Sequence, residues 1–256
     1  MDRTLLSPSM IETFRVCRRA YQLAFLKAGE RIEPTGSILK RFLLKALAEI
    51  NRGRVTTVNQ VQKFTGHHWP VDKIDAEDGV RAFLFAYKAL TNYVLKPYKP
   101  EGAQVVAVSL KVRARVPHDR VYLEDTFDLI LWYPHEKRLE FCDFHLNPLK
   151  PFNPAWPSAS MLVKQFLAER LKTRWPFEKI SLTFLRLGVQ GVMPATFELD
   201  ESLYRLHWPE LLKTIEAMKD PEDFAPHVSD LCRRCEFLTR CTAMGCEEHS
   251  RLSRSA

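Results

Sequence analysis

The sequence predicts an α+β fold built around a mixed central sheet. Two observations carry that expectation. Apolar residues through the first hundred positions recur at helical spacing, and from about residue 105 the period drops to two in runs broken by turn residues. A third marks the other end of the chain: LCRRCEFLTRCTAMGC packs Cys232, Cys235, Cys241 and Cys246 into one short segment.

The elements follow in order. Ser7 before Pro8 is a helix entry, Ser as the cap and Pro at the first helical position. Ile11, Phe14, Tyr21 and Phe25 extend that helix toward Gly29. A second helix runs from about Ser37 to Asn51 and stops at Gly53, with Leu39, Leu43, Leu47 and Ile50 along one face. A weaker helix covers Val58 to Phe64, and a longer one runs from Glu77 to Tyr93. VVAVSLKVRARV, VYLEDTFDLILWY and RLEFCDFHL then read as three strands with tight connections, an antiparallel meander. Beyond the Pro-rich NPLKPFNPAWPS comes a helix from about Ala159 to Thr173. KISLTFLRL and VMPATFEL form a further strand pair, and a helix from Ser202 to Met218 closes the order. The parts group as a helical region over 1–100, a sheet-bearing core over 101–220 and a cysteine segment over 221–256, all within one integrated domain.

Composition narrows the classes of function. At 256 residues, 46% hydrophobic and 27% charged, the chain is globular, not disordered or collagen-like. The basic excess, 38 Lys and Arg against 31 Asp and Glu, is compatible with nucleic acid or an anionic surface. No apolar run approaches a membrane span, and MDRTLLSPSM lacks the pattern of a secretory signal. A cytoplasmic location is therefore expected, where cysteines serve as thiols or as metal ligands. Cys142, inside LEFCDF, reads as a small buried hydrophobe. The C-x2-C pair Cys232 and Cys235 aims two thiolates at one point, as soft metals and iron–sulfur clusters require.

LSPSMIETFRVCRRAYQL resembles the N-terminal signature of the RecB-type nucleases of the PD-(D/E)XK superfamily, a Ser-Pro-Ser helix carrying Cys and then Tyr. In the iron–sulfur branch of that group, the N-terminal Cys joins three C-terminal cysteines spaced C-x2-C-x5-C to hold a 4Fe-4S cluster. Cys17, Cys232, Cys235 and Cys241 fit that spacing at both ends. The branch includes AddB-type subunits of recombinational-repair helicase–nucleases and the nucleases of CRISPR spacer acquisition. The resemblance thus implies a restriction-endonuclease-like core, DNA as a partner, and further subunits of a repair or CRISPR-type complex. Zinc held locally by Cys232, Cys235, Cys241 and Cys246 is the rival arrangement, and the family spacing favours the cluster.

The catalytic motifs of the family are altered here. Its Gly-x-x-x-His motif, strand Asp and (D/E)-x-K motif bring together carboxylates and His for Mg2+ or Mn2+, with a Lys to orient or activate water. Gly36 begins GSILK, so the His station is Lys40. Asp128 matches the strand Asp and Asp143 the last carboxylate, but the Lys station is His145. Ser109 stands on the first strand, where an acid is common, and Gln165 in KQFLAERL resembles the Gln-containing helix without its following Tyr. The primary expectation is a degenerate centre in a protein that keeps the fold and cluster and binds DNA. The alternative is an active metal-dependent nuclease with the stations exchanged: Asp128, Asp143 and His145 hold Mg2+ or Mn2+, and Lys40 supplies positive charge.

His145 shares a strand face with Asp143, since residues two apart point the same way. His67 and His68 read as a loop pair with no third ligand. Arg18 and Arg19 flank Cys17, while Arg233, Arg234 and Arg240 decorate the cysteine segment. A cluster joining the two would gather these arginines into a phosphate-contacting patch. Lys111, Arg113 and Arg115 form a second candidate stripe on one strand face.

Overall fold

The computed structural model describes residues 4–26, 35–74, 76–117, 119–146, 158–219 and 224–230, together with residues 232, 235, 237, 238 and 241. The chain opens with β1 (Thr4–Leu6) and α1 (Pro8–Val16), capped by the Ser7 side chain on the amide of Met10. The helix expected to run on toward Gly29 breaks at Cys17, whose backbone is extended (φ −161°, ψ 116°). Its thiol therefore sits at the junction between α1 and α2 (Arg18–Tyr21), and a π-helical turn, Gln22–Leu26, follows.

The other helices are α3 (Thr35–Asn51), α4 (Val58–His68), α5 (Ala76–Leu95), α6 (Ala159–Ala168) and α7 (Glu201–Ala217). A reciprocal cap between Thr57 and Gln60 starts α4, which continues past its expected end. His67 and His68 thus close a helix instead of lying in a loop. The helix expected to reach Thr173 stops earlier: α6 gives way to a short 3-10 turn, Glu169–Leu171.

The strands are β2 (Gln104–Arg115), β3 (Val121–Tyr133), β4 (Arg138–His145), β5 (Lys179–Gly188) and β6 (Gly191–Glu198). β2, β3 and β4 form the expected antiparallel meander, β5 lies parallel to β4, and β6 returns antiparallel. The sheet is mixed and the fold is α+β, as the period change predicts. β1 is the unanticipated strand: three residues are too few to show alternation, yet they pair in parallel with Val121–Leu123.

Helices cover both faces of the sheet. On one, Ile11 and Phe14 of α1, Met161 and Leu167 of α6, and Leu211 and Ile215 of α7 pack against Leu123, Phe127 and Phe141. On the other, Leu43 and Leu47 of α3, Val61 of α4 and Leu90 and Tyr93 of α5 pack against Leu129, Leu131 and Cys142.

The side-chain alternation of β2 and β3 reverses at one level. Phe127 and Leu129 are two apart and would share a face in a regular strand, yet they belong to opposite cores. Leu110 and Val108, their partners on β2, divide in the same way. The residue skipped on β2 is Ser109, with φ 53°, and the one skipped on β3 is Asp128. Such kinks re-aim a side chain and are common beside functional sites.

Left-handed backbone costs a residue with a Cβ about 1 kcal/mol and a β-branched residue more. Ser109→Gly should therefore raise the urea midpoint slightly. Ser109→Val should lower stability by roughly 1–2 kcal/mol, although Ser109 is exposed and its side chain supports no core.

Candidate functional site

The reversal of the pleat places Asp128 where β3 and β4 part. Their ladder ends at the pair Leu129 and Cys142. Beyond it, Asp128 Oδ2 accepts the backbone N–H of Phe144 at 2.9 Å, so a side chain replaces the next ladder contact. Asp143 stands one residue before Phe144 on the same strand, on the face that Phe141 presents to α6.

A lysine that the sequence reading passed over completes this centre. Lys164 of α6 is only 1% exposed. Its Nζ lies 2.8 Å from Asp125 Oδ2 and 3.1 Å from Asp143 Oδ1, and donates to the carbonyl of Thr126 at 3.2 Å. The ammonium also sits 4.6 Å from the centroid of the Phe127 ring. A signal was present: ASMLVKQFLA is apolar on nearly every side, which leaves a lysine no route to solvent and obliges it to find carboxylates. Asp125 carried no comparable mark. Gln165, the neighbouring residue, turns elsewhere and lines a separate cleft of about 360 Å3 with Arg138, Lys172 and Asp200.

The electrostatics follow from burial and crowding. Burial, reinforced by Asp143, pushes Asp128 up to about 7 against the opposing pull of the Phe144 amide, Lys164 and Lys40. Asp143 is raised by its own burial and by Asp125, with Lys164 and Lys40 acting against the shift. Burial alone would lower Lys164, but Asp143 and Asp125 outweigh it and hold the side chain cationic. His145 is lowered, first by burial and then by Lys40 and Arg186, so its imidazole is neutral at neutral pH.

The structure thus brings Asp128 and Asp143 within electrostatic reach of each other and of Lys40, while His145 feels Lys40 and Arg186. Lys40 contributes from an exposed position on α3, and the ammonium touching the carboxylates belongs to Lys164. Carboxylate oxygens of the kind that Mg2+ or Mn2+ takes are present, but an ammonium shares the site with them. Asp143 Oδ1 is buried and accepts no hydrogen bond of regular geometry, yet an ammonium already lies against it. Among the described residues, no three His, Cys, Asp or Glu side chains are set to hold a metal ion.

Cys17 lies near the described cysteines of the C-terminal segment. The backbone N–H of His227 donates to Cys17 Sγ at 3.4 Å, and that of Ser229 to Cys232 Sγ at 3.4 Å. Phe237 packs on Leu23 and Ala24 beside Cys235, and Phe224 meets Tyr21 ring to ring. Burial raises the Cys235 thiol, and the proximity of Cys17, Cys232 and Cys241 raises it further, so three other sulfurs lie within electrostatic reach of that of Cys235. Cys142 is fully buried and held well above the usual thiol range by burial and by Glu140, an inert thiol as LEFCDF suggests.

The arginines are more constrained than a free patch. Arg18 lies 5.3 Å from the centroid of the Phe14 ring, and Arg19 donates to Gln22. Arg233, Arg234, Arg240 and Cys246 lie outside the described residues. Lys111, Arg113 and Arg115 do share an exposed face, but Lys111 and Arg113 are both paired with Glu124 at 2.6 Å. Among the described residues no helix is long and apolar enough to cross a membrane.

The PD-(D/E)XK nuclease superfamily model matches residues 5–242, and the chain belongs to that superfamily. No curated protein matches it in sequence. Among solved structures, it is similar to one from Eubacterium rectale described as "Putative exonuclease", at 7% identity and a TM-score of 0.46, with 94% of each chain covered. It is also similar to the protein SSO0001, at 14% identity and a TM-score of 0.32, with 82% of this chain and 96% of that one covered.

The raised Asp128 carries a pH signature. Its folded form holds a proton that the unfolded chain releases near its ordinary value, so its contribution to stability is lost as pH rises toward about 7. Asp128→Asn keeps an acceptor for the Phe144 amide without the charge. Compared by urea denaturation, the variant should exceed wild type by roughly 1–3 kcal/mol at about pH 8, and the gap should close only as pH falls to about 4, the range of the unfolded carboxyl.

Proposed function

We propose that this chain is an iron–sulfur, RecB-like member of its superfamily that binds DNA in repair, CRISPR adaptation or a related defence process, with a degenerate nuclease centre. The observation that carries the reading is the approach of Cys17, from one end of the chain, to Cys232, Cys235 and Cys241 at the other.

Cys17, Cys232, Cys235 and Cys241 would hold the 4Fe-4S cluster. A zinc site built from Cys232, Cys235, Cys241 and Cys246 would leave Cys17 unused, whereas a four-iron cluster takes one thiolate per iron and uses Cys17 with the other three. The cluster supplies cross-linking: ligation free energy becomes folding free energy, because the unfolded chain has no site. The backbone amides of His227 and Ser229 already point at two of the sulfurs and would stabilise their negative charge. With the carboxylates of the centre engaged by Lys164, phosphate contact falls to basic residues around the cysteines and on β2.

Anaerobically purified protein should contain iron and acid-labile sulfide. Cys17→Ser should lose both and lower the unfolding temperature, whereas Cys246→Ser should be mild. Stoichiometric zinc indifferent to Cys17 would overturn the cluster.

DNA binding should tolerate any sequence and weaken steeply with salt, as released counterions require. Neutralising Arg233 and Arg234 together should weaken all sequences alike. End-labelled single-stranded and duplex DNA should remain intact with Mg2+ or Mn2+; cutting abolished by Asp143→Ala would overturn the degenerate centre.

A further inference from the structure

We propose that Lys164 is the resident counter-ion of the centre, a side-chain ammonium that has taken over from a divalent metal the neutralisation of Asp143 and Asp125. The inference rests on the degenerate-centre reading and supplies its physical cause.

An ammonium has three N–H donors and no acceptor. Those of Lys164 face three oxygens: Asp125 Oδ2, Asp143 Oδ1 and the Thr126 carbonyl. The Phe127 ring flanks the same nitrogen. At 1% exposed and ringed by these groups, Lys164 has no open side from which to hold a water or a phosphate oxygen. That separates it from a catalytic lysine, which must face the reacting atoms. Its partners are also shared differently. Asp125 matches none of the family stations, yet it makes the shorter of the two contacts. The geometry is that of a buried ion cluster in which one cation bridges two anions, and one of those anions is the carboxylate that a metal would need.

Position supports the same role. Lys164 projects from a helix wedged between the sheet and the helices α1 and α7, so its head is fixed by core packing. A metal entering the site would have to displace a cation tethered by that packing, not a water molecule. Lys40 and Arg186 add positive charge around His145 and oppose a second cation.

The test is Mn2+ binding, followed by electron paramagnetic resonance and by thermal shift on cluster-loaded protein. Wild type should show no Asp143-dependent Mn2+ binding below about millimolar concentration, a weak-binding range. Lys164→Met should gain one Mn2+ per chain at least tenfold tighter, with an unfolding temperature that rises on adding Mn2+, and Asp143→Asn in that background should remove both effects. Should Lys164→Met fail to fold, the double variant Lys164→Met with Asp125→Asn relieves the uncompensated charge and should show the same gain. Equal Asp143-dependent affinity in wild type and variant would overturn the counter-ion role, as would a folded variant that binds no Mn2+. DNA cleavage separates the two claims. Intact DNA together with tight wild-type Mn2+ binding defeats the counter-ion alone, whereas cleavage by wild type defeats the degenerate centre as well.

Discussion

The centre depends on the reversal of the pleat in β2 and β3 at the level of Ser109 and Asp128. β3 has strands along both edges and a helical layer on each face, so its side chains must satisfy two cores at once. A regular strand would commit Phe127 and Leu129 to the same core. The left-handed Ser109 breaks that phase and frees Asp128 to turn along the sheet toward β4, where it meets the Phe144 amide. Asp125 and Phe127, before the break, face α6 and therefore Lys164. Asp143 reaches the same ammonium from β4. The site is a consequence of one local backbone choice propagated through pairing.

The repeating parts of this fold were legible because they are periodic. The Leu39, Leu43, Leu47 and Ile50 stripe and the alternation of VYLEDTFDLILWY each report a burial geometry over many residues. What could not be read was local or compensated. β1 has three residues, and its pairing partner is more than a hundred positions away. The break at Cys17 interrupts an apolar pattern that continues on both sides, so period alone runs straight through it. In the centre, Asp128 and Asp143 were visible as acids inside apolar strands. Lys164 was visible in principle, as a lysine in an otherwise buried helix, but motif spacing directs attention to His145 and Lys40.

The centre and the cysteines are also mechanically linked. α1 packs on α6 and α7, so the helix that delivers Lys164 and the helix that ends at Cys17 share a core. Glu12 of α1 accepts the amide of Ser160 in the first turn of α6, a contact between the two at the start of the helix that carries Lys164. Tyr21 carries the contact onward, meeting Phe14 on one side and Phe224 of the C-terminal segment on the other. A cross-link among the cysteines would therefore tighten the layer that holds the ammonium against its carboxylates.

The altered stations acquire a common explanation from that arrangement. A lysine two residues after Asp143 would place a second ammonium on the strand that already meets Lys164, and like charges in a buried site are strongly disfavoured. Histidine avoids the conflict: burial and the neighbouring cations Lys40 and Arg186 keep it neutral. On α3 the demand is the reverse. Three carboxylates, Asp125, Asp128 and Asp143, face one buried ammonium, and burial with mutual repulsion drives Asp128 upward. An exposed lysine at position 40 lowers that strain without being desolvated, which a histidine uncharged at neutral pH would not do. Lys40 and His145 need not have exchanged roles with each other. Each would suit a centre whose cation is supplied from α6.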